Sequence, residues 1–250
     1  MAKPNVIRNA PSLLHAVALV GPNHAETVRN IRNMERGAPP ALYKASTQIV
    51  VATIKRIAGG TSNKEAFDWA KGQAKALQKA KVRDCAIEVL AFLKPFLLNI
   101  KPKWFRPIDV EYFQAGADLQ IPVKVTGLLR LEDKAVILAV NFWKKPLETE
   151  QLRAAISILK DRIELREELQ GADLHFLDIS VPLGKKQREY RNLSWSQISP
   201  LSDADLQVFA NRLCRAWLEC QANPEPKKPS KPKRSDQADM FSDHSNNPRG

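Results

Sequence analysis

Cysteine is scarce in this chain of 250 residues, and its spacing excludes the chemistry that cysteine usually carries. Cys85, Cys214 and Cys220 form no CxxC pair, and an odd number of cysteines cannot all pair in disulfides. A disulfide scaffold and a zinc site are therefore disfavoured, and a reducing, cytoplasmic setting is predicted.

Long apolar runs are also missing. No stretch approaches the roughly 18 apolar residues that cross a bilayer, so a soluble protein without a membrane partner is predicted. The short apolar stretch at 13–20 contains His15 and is followed by GPNH, which offers no cleavage site of small residues. We expect no secretory signal there.

Motifs of common enzymes are absent from the sequence. The four histidines show no HExxH spacing, no GxSxG elbow occurs, and the AGGT segment at 58–61 lacks the lysine of a phosphate-binding loop. No cofactor is expected. His175 lies in an apolar run and is predicted to belong to the core.

Acidic residues are in deficit. Lys and Arg number 39 against 27 Asp and Glu, which leaves a formal charge of +12. Such a charge attracts polyanions, so nucleic acid is the leading partner class and an acidic membrane surface the next. The hydrophobic share of 44% is enough for a core and excludes a wholly disordered chain.

Periodicity divides the chain into three regions. Residues 1–100 are helical in pattern, with a helix at 41–57 and a capping box that opens a helix at Ser62. Residues 101–221 predict a mixed α/β core that the helices pack on. Residues 222–250 begin with NPEPKKPSKPKR and predict a disordered, basic, proline-rich linker and tail.

The core region changes from helical period to strand period. Three strands are predicted first, then a charged helix, two more strands and a last helix, at 105–113, 120–131, 135–142, 148–169, 175–181, 190–198 and from 203. This order predicts an α+β or α/β fold with a mixed five-stranded sheet flanked by helices. The long helix between the third and fourth strands favours a parallel, right-handed crossover.

The segments TGLLRL (126–131) and VILAVNFW (136–143) look like strands two and three of the PD-(D/E)XK nuclease-like, or restriction-endonuclease-like, fold. Active members of that family place an Asp at the end of strand two and a (D/E)-x-K tripeptide on strand three, which hold Mg²⁺ and activate water. Here Arg130, Asn141 and Trp143 stand at those positions, and Gln151 stands where exonuclease-type members carry a glutamine.

These departures imply an inactive nuclease-like scaffold. Arginine cannot ligate Mg²⁺, and asparagine offers only a neutral carbonyl oxygen. The resemblance therefore implies no catalytic and no metal-binding residues, with a retained groove for DNA. The alternative is an active Mg²⁺-dependent nuclease with relocated ligands, for which Asp109 and Glu111 on one predicted strand are candidates.

Three clusters combine cations with an aromatic residue: KPKWFR at 101–106, WKK at 143–145 and KKQREYR at 185–191. Cations neutralise phosphates and aromatic rings stack on bases. All three flank strand ends, which predicts a common binding face. The residues predicted to contact phosphate are Lys144, Lys145, Lys185, Lys186, Arg188 and Arg191. A basic adaptor for RNA or an acidic protein is a further alternative.

The tail contains the pentapeptide QADMF at 237–241. It resembles the peptide by which bacterial replication and repair proteins dock on the DNA polymerase sliding clamp. The resemblance implies that Gln237, Asp239, Met240 and Phe241 bind the clamp, whereas Ala238 replaces the commoner leucine. The sequence thus predicts a bacterial accessory protein of DNA replication or repair, of the kind that mobile elements carry, with DNA and the clamp as partners.

Overall fold

The protein has a mixed sheet between two groups of helices. The computed structural model describes residues 11–36, 41–143, 145–182 and 185–224. Lys144 and the pentapeptide at 237–241 lie outside the described residues. The described part of the chain is α+β, which confirms the predicted class.

The first hundred residues form helices. They are α1 (Leu13–Leu19), α2 (His24–Arg36), α3 (Ala41–Ala58), α4 (Asn63–Lys75) and α5 (Ala80–Asn99). Gly60 follows α3 with a φ of 93°, a left-handed conformation that glycine adopts without strain. No helix within the described ranges is long and apolar enough to cross a bilayer.

The capping box at the start of α4 is confirmed. The backbone N–H of Glu65 donates to Ser62 Oγ at 3.3 Å, and the backbone N–H of Ser62 donates to Glu65 Oε2 at 3.3 Å. Each side chain therefore satisfies a backbone donor that the first turn of a helix leaves unpaired.

Replacing Ser62 with alanine is expected to lower the free energy of unfolding by about 1 kcal/mol, because the cap is lost. Urea unfolding followed by circular dichroism measures the change. Lys64→Ala alters the same turn without touching the cap and serves as the control. Equal effects of the two substitutions would contradict a role for the cap.

The strands fall into two sheets. They are β1 (Pro102–Arg106), β2 (Glu111–Gly116), β3 (Leu119–Val123), β4 (Gly127–Leu131), β5 (Lys134–Asn141), β6 (Asp173–Asp178) and β7 (Arg191–Leu193). The five-stranded sheet has the order β1-β4-β5-β6-β7, and β2 pairs with β3 in a small hairpin. Only β5 and β6 are parallel among the described strand pairs. They are joined through α6 (Thr149–Glu164), so the predicted parallel crossover is confirmed.

Two predicted strands are each split in the structure. The expected strand at 105–113 is interrupted after Arg106, where Pro107 cannot donate a ladder hydrogen bond, and the chain leaves the main sheet to form the β2-β3 hairpin. The expected strand at 120–131 is interrupted at 124–126, where the chain returns to the main sheet. A predicted meander of three strands is thus five strands in two sheets.

Helices cover both faces of the main sheet. Leu128, Ile137 and Phe176 lie in one core with α1, α6 and the last helix, α7 (Asp203–Ala222). Leu129 and Leu138 lie in the other core with α3, α4 and α5. Side chains alternate along a strand, so the consecutive apolar residues of β4 and β5 supply both cores.

Candidate nucleic-acid interface

The carboxyl ends of β5 and β6 bring two buried polar side chains together. Asn141 and Asp178 are register partners at these ends and are 1% and 2% exposed. Asn141 Nδ2 donates to Asp178 Oδ1 at 3.1 Å. In open sheets, the carboxyl edge of parallel strands is where ligands usually bind.

Both carboxylate oxygens of Asp178 are engaged. Oδ1 also accepts the backbone N–H of Ser180 at 3.0 Å, and Oδ2 pairs with the guanidinium of Arg191, its register neighbour on β7. The carboxylate therefore orients Arg191 at the edge of the sheet. Sequence reasoning missed Asp178, although a single Asp in the apolar run LHFLDISV was a usable signal.

The positions that resemble the nuclease active site do not all converge. Arg130 pairs in register with Ala135 near the start of β5, whereas Asn141 ends that strand six residues later. Six residues of strand span about 20 Å. Arg130 therefore lies far from Asn141 and Trp143 and does not form one site with them.

Gln151 lies in the first turn of α6 and is 3% exposed. Its Nε2 donates to the carbonyl oxygen of Val20 at 2.8 Å, and its Oε1 accepts the N–H of Glu148 at 2.9 Å. Gln151 thus joins the segment after α1 to the start of α6. These contacts give it a structural role at this edge.

Trp143 follows the end of β5 and contacts α1. The centroid of its ring lies 4.7 Å from that of the His15 ring in an edge-to-face geometry, and the backbone N–H of Trp143 donates to Asn141 Oδ1 at 3.2 Å. Burial lowers the pKa of His15, so this imidazole is neutral at neutral pH. The aromatic pair therefore packs the end of β5 against α1.

Arg188 was expected to contact phosphate, but its side chain is buried and only 6% of the residue is exposed. Nη1 donates to the carbonyl oxygens of Phe142 at 2.9 Å and Ile179 at 3.1 Å, and Nε lies 3.1 Å from Glu88 Oε1. The guanidinium joins the ends of β5 and β6 to α5. We therefore correct its role from phosphate contact to structural support.

The other described cations of the second and third clusters reach solvent. Lys145, in the loop after β5, is exposed, as are Lys185 and Lys186 in the loop after β6. Lys185 also pairs with Glu189, four residues along the chain. Both loops begin at the carboxyl edge, so the two clusters share one surface with Arg191. We call Lys145, Lys185, Lys186 and Arg191 the basic edge.

The first cluster occupies a different part of the sheet. Lys103 on β1 pairs with Asp133 in the β4-β5 turn at 3.0 Å, at the end of the sheet opposite the basic edge. Trp104 is 37% exposed, and the Arg106 guanidinium lies 5.6 Å from the centre of its ring. The three clusters therefore do not form the single face that the sequence predicted.

The relocated metal ligands are not neighbours on one strand. Asp109 is exposed and precedes β2, whereas Glu111 begins β2 and lies 3.4 Å from an Arg166 nitrogen. Within the described ranges, no three or more His, Cys, Asp or Glu side chains are placed to hold a metal ion. The geometry therefore gives no support to a metal site at Asp109 and Glu111.

A cleft of about 560 Å³ opens beside the basic edge. The loop after β5, the start of α6, Pro182 and residues 197–199 form its walls. Among the described residues that line it, the charged ones are Arg153 and Arg191, and none is an Asp or Glu.

Comparison with protein-family models and with curated proteins finds no match for this chain. The site is therefore interpreted from its own residues. The three exposed lysines of the basic edge, the anchored Arg191 and the cleft lie at one edge of the sheet. An arrangement rich in guanidinium and ammonium groups binds anions, and phosphate is one of the anions that arginine pairs with in bidentate geometry.

Proposed function

We propose that this protein is a non-catalytic, DNA-binding accessory protein of bacterial DNA replication or repair, recruited to the sliding clamp by its tail. The observation that carries the DNA-binding part is the convergence of Lys145, Lys185, Lys186 and Arg191 on the carboxyl edge of β5 and β6. Cations that neutralise successive phosphates give salt-dependent affinity for nucleic acid.

The topology supports a nuclease-like scaffold. In chain order, α5, β1, β4, β5, α6 and β6 give a helix, three antiparallel strands, a helix and a strand parallel to the third. This is the order of the core that the sequence resembles, with the β2-β3 hairpin inserted between its first two strands. The proposal takes that core as a platform for DNA.

The groups at the basic edge favour binding over cleavage. Asn141 offers a neutral amide, and Asp178 is already engaged by Asn141, Ser180 and Arg191. A Mg²⁺ site needs several free oxygen ligands, and an adjacent guanidinium repels the ion. The same guanidinium attracts a phosphate.

The tail supplies the second attachment in this proposal. The pentapeptide at 237–241 follows the end of α7 after a spacer of about fifteen residues, which in an extended conformation reaches about 45 Å. Such a tether raises the local concentration of the basic edge near DNA that passes through the clamp.

The basic edge is tested by the double substitution Lys185→Gln with Lys186→Gln. We expect about tenfold weaker binding to duplex DNA at moderate salt. The slope of log affinity against log salt should also become shallower by about 1.8, because two phosphate contacts are lost. Fluorescence anisotropy with labelled DNA between 50 and 300 mM salt measures both quantities.

Lys101→Gln with Lys134→Gln is the matched control. Both lysines are exposed and lie at the end of the sheet opposite the basic edge. The two substitutions remove the same charge as those at Lys185 and Lys186. This control should bind DNA with nearly the wild-type slope. Equal weakening in the two double variants would show that net charge, and not the basic edge, decides the affinity.

Incubation of DNA with the protein and a divalent metal ion distinguishes the proposed function from the nuclease alternative. We expect linear and single-stranded DNA to remain intact during incubation with the protein in Mg²⁺ or Mn²⁺, as seen on denaturing gels. Cleavage that Asp109→Ala or Glu111→Ala abolishes would replace the proposed function with that of a nuclease.

The adaptor alternative is tested by comparing nucleic acids. Tighter binding to RNA than to DNA, with the same slope of log affinity against log salt, would favour that alternative.

A further inference from the structure

Two arginines of the cleft are fixed in place by the protein itself. Arg153 Nε donates to the carbonyl oxygen of Ser199 at 2.8 Å, and its Nη2 donates to that of Pro200 at 3.0 Å. Its Nη1 takes no part in these two bonds. Arg191 is held through Nη2 by the buried carboxylate of Asp178. Both guanidiniums are thus oriented before a ligand arrives, which lowers the entropy cost of binding.

The two charged side chains among the described lining residues are both cationic, and the exposed Glu148, just before Thr149, is not part of the lining. Asp178 balances one of the two arginines, and the neighbouring Glu150 lies 3.5 Å from Arg212, outside the lining. Thr149 lines the cleft as the first residue of the 16-residue α6, whose N-terminus is already capped by Glu148, so the cationic part of the cleft is supplied by the two arginines.

The cleft has an apolar wall beside its cationic part. Leu147, Leu152 and Ile198 line it, and its volume of about 560 Å³ falls in the range of small-molecule sites. A phosphate bound to the two arginines would leave its attached sugar and base against these side chains. A cleft with this volume and this apolar wall is larger and more apolar than a site for inorganic phosphate alone needs to be.

We infer that this cleft binds a terminal phosphate together with the nucleoside that carries it. The ligand class is a nucleotide with a phosphate monoester, as a free mononucleotide or as the phosphorylated end of a nucleic-acid strand. Arg153 and Arg191 hold the phosphate, and the apolar wall holds the nucleoside. The inference goes beyond the proposed function, because a free nucleotide can occupy the cleft whether or not the basic edge binds DNA.

The test uses the full chain and isothermal titration calorimetry. The probes are dAMP, deoxyadenosine, and a short oligonucleotide with and without a 5′-phosphate. We expect at least tenfold tighter binding of one phosphorylated probe than of its unphosphorylated partner. Binding of dAMP identifies a free nucleotide as a sufficient ligand, whereas discrimination only between the oligonucleotides identifies a strand end.

Arg153→Gln should reduce the affinity for the phosphorylated probe at least tenfold. This variant leaves the Asp178 pair intact, so a folded protein is expected, and thermal unfolding checks it. Arg191→Lys keeps a cation beside Asp178 but loses the planar guanidinium, and should also weaken binding. Lys101→Gln, an exposed lysine at the opposite end of the sheet and outside the cleft lining, is the control and should bind every probe normally.

Equal affinity for phosphorylated and unphosphorylated probes would overturn the inference. Undiminished nucleotide binding by both Arg153→Gln and Arg191→Lys would also overturn it. Undiminished DNA binding by the Lys185 and Lys186 double variant would count against the proposed function alone. The two failures are therefore distinguishable.

Discussion

Replacing Phe241 with alanine in the full chain is expected to weaken binding to a bacterial sliding clamp by about 30-fold or more. In the proposed complex, adjacent Met240 and Phe241 place their apolar side chains in a pocket of the clamp. Truncating an aromatic anchor of an interface commonly costs about 2 kcal/mol or more, which corresponds to this loss of affinity. Surface plasmon resonance with immobilised clamp measures it.

Two controls make the test specific. Ser242→Ala changes the residue directly after the pentapeptide and should bind like the wild type. Ala238→Leu restores the commoner residue at the second position and should strengthen binding. Unchanged affinity after Phe241→Ala would remove the clamp from the proposed function, while the basic edge would still be available for DNA.

Removing the Asp178 carboxylate is expected to have the largest effect on stability. Asp178→Ala leaves the Asn141 amide and the Arg191 guanidinium without their shared partner at the buried end of two strands. Asp178 is buried but the Arg191 side chain is 39% exposed, so the main cost is the unpaired Asn141 amide and Ser180 N–H. We expect the free energy of unfolding to fall by about 1–3 kcal/mol. Chemical unfolding followed by tryptophan fluorescence measures the loss.

Asp133→Ala is the matched control for this prediction. Asp133 also pairs with a cation, Lys103, but its side chain is highly exposed, and solvent screens the interaction. Its substitution should leave the unfolding midpoint nearly unchanged. A small effect at Asp178, similar to that at Asp133, would contradict its role as the anchor of the carboxyl edge.

Local signals in the sequence predicted several elements well. The helix at 41–57 and the capping box at Ser62 depend on residues that are close in the chain, and the structure confirms both. The parallel pairing of β5 and β6 followed from the length of the helical segment between them. The splitting of the strands at 105–113 and 120–131 was missed, because transfer between two sheets depends on distant packing.

The candidate site was harder to predict. The tight turn at Glu132 and Asp133 already fixes the β4-β5 register, so the position of Arg130 opposite Ala135 could have been worked out. Asp178 has partners 37 and 13 residues away, and no local pattern joins them. Burial of Arg188 within KKQREYR is likewise set by α5 and by the ends of β5 and β6, not by its charged neighbours.

We propose that the protein attaches at two points, with the basic edge on DNA and the tail on the clamp. The most direct test compares the affinity of the full chain for primed circular DNA before and after a sliding clamp is loaded on it. We predict at least tenfold tighter binding to the loaded DNA, and loss of that gain in Phe241→Ala. Equal affinity for loaded and bare DNA would contradict the claim.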